Sequence, residues 1–344
     1  MEASKSEIKS IQGLSVLAML CLHLFCRYDF SNLYTPTFYL FGYPICFYFA
    51  QISDFCVMGF AFCSGYAHYL LFETDQFYFY NRIKSLLKLI VNFWIVLILF
   101  TLISLVIGNG AEIPESLNDF LGNLLLYNLS YNGAWWYLLT YIILVFTSIP
   151  VIKLIKKHSL IMFLILTCIY GVSYIIRFNF PSENWFIRQA YLYGMTVFEY
   201  SIGILFRKYE VFRKTSDIWN KIQGKSKYVG LAVVNLILIA AHTLITHSLI
   251  IAPVTGIIIL ISYHLIYDKT KPFETLEFIG NHSTNLWLTH MFFFQYIFIN
   301  LVFVAKYPVL IYALLLFITL IVSIGIKQIQ KPFDLLINRI FKTI

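Results

Sequence analysis

The stretch "IQGLSVLAMLCLH" occupies residues 11–23, and its reading decides the fold. It is apolar over most of its length, with Gln12 near the start and His23 at the end. On a helix these two would lie about 20° apart in rotation and about 16 Å apart along the axis. Lys9 falls within about 40° of the same line. One face of a greasy segment therefore carries Lys9, Gln12 and His23.

The rest of the chain says where such a helix sits. Of its 344 residues, 60% are hydrophobic and only 12% charged, whereas a soluble domain carries about 25% charged residues. A chain this apolar has too little polar surface to face water on all sides. It reads as an all-α, polytopic membrane helix bundle forming a single domain over residues 1–344. About ten runs are long and apolar enough to cross a bilayer: 11–26, 44–72, 86–107, 135–154, 160–176, 190–206, 229–246, 249–267, 284–305 and 308–326. The second is too long for one straight span, which predicts a tilt or a break. Residues 34–41 read as loop or interfacial chain, and 118–131 as a re-entrant or interfacial segment.

Lys and Arg set the orientation. With the N-terminus inside, 21 of the 25 cations fall on internal segments, and only Arg27, Arg177, Arg188 and Lys306 fall outside. Both termini are then cytoplasmic. This asymmetry accounts for the net charge of +8 with no nucleic-acid partner. The first span has no small-residue cleavage site, so it is not expected to be a removable signal peptide. Residues 207–228 read as a cytoplasmic loop whose seven cations hold it to anionic lipid. The six cysteines lie mostly within spans and form no CxxC pair, which favours core packing over zinc or a disulfide framework. No metal site, no tightly bound cofactor, no Gly-rich phosphate loop and no internal repeat is expected.

The first span resembles the first helix of the acyltransferase-3 family of integral membrane acyltransferases. That family's signature is Arg or Lys, ten residues, then His. His23 matches the histidine, while Gln12 stands where the cation is usual and Lys9 lies one turn before it. Four further stretches are similar to family regions, in family order. They are "VMGFAFCSGYAHY" (57–69), "NRIKSLLKLIVNFW" (81–94), "AWWYLLTYIILVFTSIP" (134–150) and "IGNHSTNLWLTHMFFF" (279–294). The resemblance implies transfer of an acetyl or succinyl group from cytoplasmic acyl-CoA to a carbohydrate, with bacterial surface-polysaccharide modifiers as the nearest kin. It implies a multi-pass protein of the cell membrane, with acyl-CoA, a carbohydrate acceptor and the lipid bilayer as partners.

The chemistry follows from residue types. A sugar hydroxyl is a weak nucleophile at neutral pH and needs a base, a task that suits a neutral imidazole. Histidine can also carry the acyl group itself. Either role falls to His23. Lys9 and Gln12 would hold the donor or a water chain below it. Arg82, Lys84 and Lys88 open the third span, either as ordinary cytoplasmic anchors or as a clamp on the acyl-CoA phosphates. The family's second Arg of that cluster is Ser85 here. His290, about six residues into its span and hence near the cytoplasmic side, would bind or orient substrate or pack, with Asn285 beside it. Ser64 and Gly65 would permit close helix approach or line the site. Trp135 and Trp136 sit where an external aromatic belt is expected, and Trp136 could stack on a sugar. Asp54, Glu199 and Arg188 would line the acceptor path. His68, His242, His247 and His264 read as structural or interfacial. The rival class is a carrier, exporter or polymerase of a surface glycan, in which intramembrane His, Asp and Glu would move a solute or protons without acyl transfer.

Overall fold

The structure, a computed structural model, describes residues 2–27, 33–74, 79–107, 113–245, 248–268 and 270–341. Thr246, His247, Lys269 and Lys342, which entered the reading of spans and charges, lie outside the described residues. The helices follow in chain order as α1 (Lys5–Phe25), α2 (Ile45–Ile52), α3 (Cys56–Glu73), α4 (Phe79–Ile107), α5 (Leu117–Leu124), α6 (Trp136–Lys157) and α7 (Ser159–Asn179). After them come α8 (Trp185–Lys208), α9 (Val211–Lys221), α10 (Ser226–Thr243), α11 (Ala252–Ile266), α12 (Lys271–Met291), α13 (Ile299–Phe303) and α14 (Pro308–Ile340). A two-residue hairpin pairs Tyr39–Leu40 with Tyr43–Pro44.

Local chemistry sets the helix ends. Ser4 caps α1 by accepting from the Glu7 amide at 3.1 Å, and Asn184 caps α8 by accepting from the Phe186 amide at 2.9 Å. Pro308 opens α14, where its missing N–H costs nothing. The overlong second run is broken as expected. A 3-10 turn at Ser53–Phe55 separates α2 from α3. Residues 118–131 hold only the short α5 and turns.

Seven helical stretches among the described residues are long and apolar enough to cross a membrane: Lys5–Phe25, Ile45–Glu73, Phe79–Ile107, Gly133–Lys157, Ser159–Asn179, Ser226–Thr243 and Pro308–Ile340. The other three expected runs are helical too. Of these, α11 is shorter, at 15 residues, and α8 and α12 carry more polar side chains. In α8 most of those side chains are buried, which spares them contact with lipid.

The chain divides into two compact units. The first holds α1 to α3, the second half of α6, α7 to α11 and the start of α12. Glycines let its helices meet backbone to backbone. A Cβ on Gly65 of α3 would land on the Tyr200 carbonyl of α8, and one on Gly203 would land on the Phe62 carbonyl of α3. The same reciprocal fit joins Gly13 of α1 to Gly280 of α12. The second unit holds α4, α5, the start of α6, the end of α12, α13 and α14. In its core Phe100 stacks on Phe292 at 4.4 Å, and Trp135 meets Phe93 edge-on at 4.8 Å.

Three expectations are corrected. Residues 207–228 are not a loop: α9 fills the middle of the stretch, and its Phe212 is fully buried. Phe212 stacks on His264 at 4.4 Å, and His264 Nδ1 lies 2.5 Å from Glu7 Oε1. Some of the stretch's cations meet carboxylates rather than lipid, with Arg207 on Glu73 at 3.0 Å and Arg213 on Glu210. Next, α12 begins at Lys271 rather than near residue 284, because its polar first turns find partners such as Ser6, which donates to Glu277. His290 is therefore about 28 Å from the start of its helix by rise. Finally, Trp135 is fully buried and belongs to the core rather than an aromatic belt.

Gly65→Ala and Gly203→Ala should each lower stability by about 1–3 kcal/mol through overpacking, read from thermal unfolding in detergent. Gly230→Ala, where a Cβ meets nothing, should not destabilise. Equal melting of all three variants would remove the glycine contact as the determinant. Glu7→Ala should cost about 1–3 kcal/mol because it strands the buried His264 donor. Limited proteolysis within α9 should rise with it. Unchanged digestion would show that α9 docks without this bond.

Candidate functional site

In the first unit the polar face of α1 is a connected structure. Lys9 Nζ donates to Gln12 Oε1 at 2.8 Å, so the amide that replaces a cation also holds one. Ser64 is half-buried, and its hydroxyl donates to Phe60 O of its own helix at 3.0 Å, while Gly65 makes the interhelical contact. His23 lies in the last turn of α1, about 27 Å from Lys5 by helix rise. Here α1 packs on α2, on the Ser53–Phe55 turn and on α3. The Cys21 thiol bonds the Ser53 side chain, which brings the turn carrying Asp54 against the end of α1 that carries His23.

Asp54 and Glu199 are both buried, at 6% and 4% exposure. Sequence reasoning placed them on one path, and they lie within electrostatic reach of each other and, for Glu199, of Arg177. It missed His242. That imidazole is fully buried, with Nε2 3.3 Å from Asp54 Oδ2 and Nδ1 2.8 Å from Thr255 Oγ1. The signal was the one that drew attention to His23, an ionisable side chain in the last turn of an apolar helix.

In the second unit Arg82, Lys84 and Lys88 are half-buried near the start of α4. Lys84 and Lys88 share a face, about 40° apart, whereas Arg82 points about 120–160° away from them. Lys88 O accepts from Gln330 Nε2 of α14 at 3.3 Å, which seats this turn. One turn further on, Asn92 donates to Asn285 Oδ1 at 2.6 Å, and Asn285 donates to Ser323 O at 3.3 Å. Asn285 thus joins α4, α12 and α14.

His290 is fully buried. Its Nδ1 lies 2.8 Å from Trp287 O. A carbonyl only accepts, so Nδ1 carries the proton and Nε2 is the basic nitrogen. Trp287 Nε1 donates to Ala134 O at 3.0 Å. Leu288 O receives both Trp135 Nε1 at 3.1 Å and Asn132 Nδ2 at 3.0 Å. A π turn at Phe292–Tyr296 follows directly, a feature found often beside functional sites. Trp136 is half-buried and meets Tyr137 edge-on at 5.6 Å.

Acid–base groups and cations embedded in an apolar helix bundle suit proton transfer and the holding of anionic groups. A family model describing an acyltransferase domain of the acyltransferase-3 type matches residues 6–327. No curated protein matches the chain, and no solved structure does. The match takes in α1 with His23, the basic start of α4 and the whole of α12, nearly the full length of the chain. The protein belongs to the acyltransferase-3 family and is a multi-pass membrane acyltransferase.

Proposed function

We propose that the protein moves an acetyl or similar small acyl group from cytoplasmic acyl-CoA to a hydroxyl of a cell-surface or lipid-linked carbohydrate. The observation that carries this reading is His23 in the last turn of α1, with the Lys9–Gln12 pair on the same face near the other end, inside a chain of this family. In this reading the helices make about ten crossings of the cell membrane with both termini cytoplasmic. Lys84 and Lys88, sharing one face of α4, meet the donor's phosphates as point charges. Lys9 and Gln12 support the donor within the bundle. His23 takes the proton of the attacking hydroxyl or carries the acyl group. His290, with its basic Nε2, and Trp136 orient substrate.

Inverted membrane vesicles given acetyl-CoA labelled in the acetyl group should build label into glycan. His23→Ala should lower that rate by at least about 10²-fold, the contribution of a positioned acid–base group, while the protein still inserts. Movement of unlabelled glycan across the membrane, with the label left on CoA, would overturn the reading in favour of a carrier. Near-normal labelling by well-folded His23→Ala would remove His23 from the mechanism.

The orientation has its own check. In a background with the native cysteines replaced, a cysteine at the exposed Glu183 should react with an impermeant thiol reagent from outside, and one at the exposed Lys214 should not. Equal external labelling of both would sink the assignment.

A further inference from the structure

α10 turns one buried side chain inward, His242, and leaves the rest of its length half-buried or exposed. The inward imidazole meets two side chains of the same unit, Asp54 and Thr255, and Glu199 lies within electrostatic reach of Asp54. Asp54 comes from the turn between α2 and α3, Glu199 from α8 and Thr255 from the first turn of α11. All three are at most 6% exposed. Placing four polar side chains together in a bundle surrounded by lipid is costly unless they bond one another or bind something.

Their bonding is incomplete in a specific way. Thr255 Oγ1 lies 2.8 Å from His242 Nδ1 and fixes the ring. With the Nδ1 proton on Thr255, Nε2 keeps its lone pair. Nε2 is 3.3 Å from Asp54 Oδ2, yet out of line for a hydrogen bond. Asp54 is thus placed to stabilise an imidazolium without occupying the nitrogen. Glu199 Oε2 is buried and has no hydrogen-bond partner among the described residues. An acceptor in that position would be satisfied by a ligand hydroxyl. A purely structural cluster would explain the Thr255 bond, but not a buried ring nitrogen and a carboxylate oxygen that both lack a hydrogen-bond partner among the described residues.

We propose that this cluster is the acceptor subsite of the acyltransferase. Glu199 Oε2 takes one hydroxyl of a polyhydroxylated acceptor, and His242 takes the proton from the hydroxyl that attacks. The proposal rests on the acyltransferase reading and deepens it. The subsite is close to His23 by construction, since the Asp54 turn packs against the end of α1 that carries it. In the step, the acceptor's O–H bond breaks and its proton moves to His242 Nε2. The oxygen forms a bond to the acyl carbon. The bond from that carbon to its carrier, an imidazole nitrogen of His23 in this reading, breaks, and the electron pair leaves with that nitrogen. The departing group finally takes up the proton, so no further reactant is needed. Asp54 stabilises the imidazolium while it lasts.

The charged and titratable groups around the pair are Glu199 of α8, Arg177 and Tyr170 of α7, Cys56 of α3 and Cys26 just past α1. A pH profile therefore reports the cluster rather than one residue.

The test uses the full-length protein in inverted vesicles of its own cells, with labelled acetyl-CoA as probe and the glycans of those vesicles as acceptors. His242→Asn keeps a side chain that can reach Thr255 but removes the base. It should lower kcat for glycan labelling by about 10²-fold or more, leave KM for acetyl-CoA in place, and flatten the acidic limb of the pH–rate profile. Thr255→Val, which only frees the ring, should give a smaller loss with the same unchanged KM, and it stands in if His242→Asn does not fold. A well-folded His242→Asn, or Thr255→Val in its place, that labels glycan at the wild-type rate with the wild-type pH profile overturns the subsite. Failure of the wild type to label any glycan overturns the acyltransferase reading itself, and the acceptor role with it.

Discussion

Hydrocarbon offers no water to a polar group, so each one carried into the bilayer must be met inside the bundle. The described polar contacts follow from that constraint. Lys9 donates to Gln12, Glu7 meets His264, His242 lies between Asp54 and Thr255, and Asn92 bonds Asn285. The Glu7–His264, Asp54–His242 and Asn92–Asn285 contacts join elements far apart in the chain. The same bonds that satisfy the polar groups therefore also fix which helices are neighbours. Where a polar atom stays open in such a setting, as at Glu199 Oε2, the opening points to a ligand.

Close packing does the rest. Between helices in lipid the hydrophobic effect gives little drive, so contact depends on fit, and small residues allow the nearest approach. Gly65 with Gly203, and Gly13 with Gly280, let backbones touch. The Ser64-Gly65 stretch shows how such a motif divides its labour. The glycine makes the contact, while the serine hydroxyl bonds back to its own helix.

The opening puzzle of α1 has a physical answer. A glutamine stands where a cation is usual, and it accepts a hydrogen bond from the lysine one turn below. The positive charge is retained on that face and displaced by one turn. At the far end of the same helix, where Cys21 bonds Ser53, stands His23, so one helix carries a cationic end and a histidine end.

Helix content, a tilt or break somewhere in the overlong second run and the candidate residue His23 were legible in the sequence, because apolar run length, helical period and a single ionisable side chain are local properties; that the break falls at Ser53 was not. The start of α12 was not legible, since its polar first turns look like a loop until Ser6 and the glycine contact of α1 are brought to them. The helix α9 was hidden for the same reason: its charges read as solvated chain, and only the burial of Phe212 against His264 shows that it docks. His242 was visible as an ionisable side chain, but its partners come from 188 residues before it and 13 after. The sequence by itself determined that the chain is a membrane helix bundle of acyltransferase type. Only the tertiary structure decided which polar groups meet, because that depends on contacts between elements that local pattern does not encode.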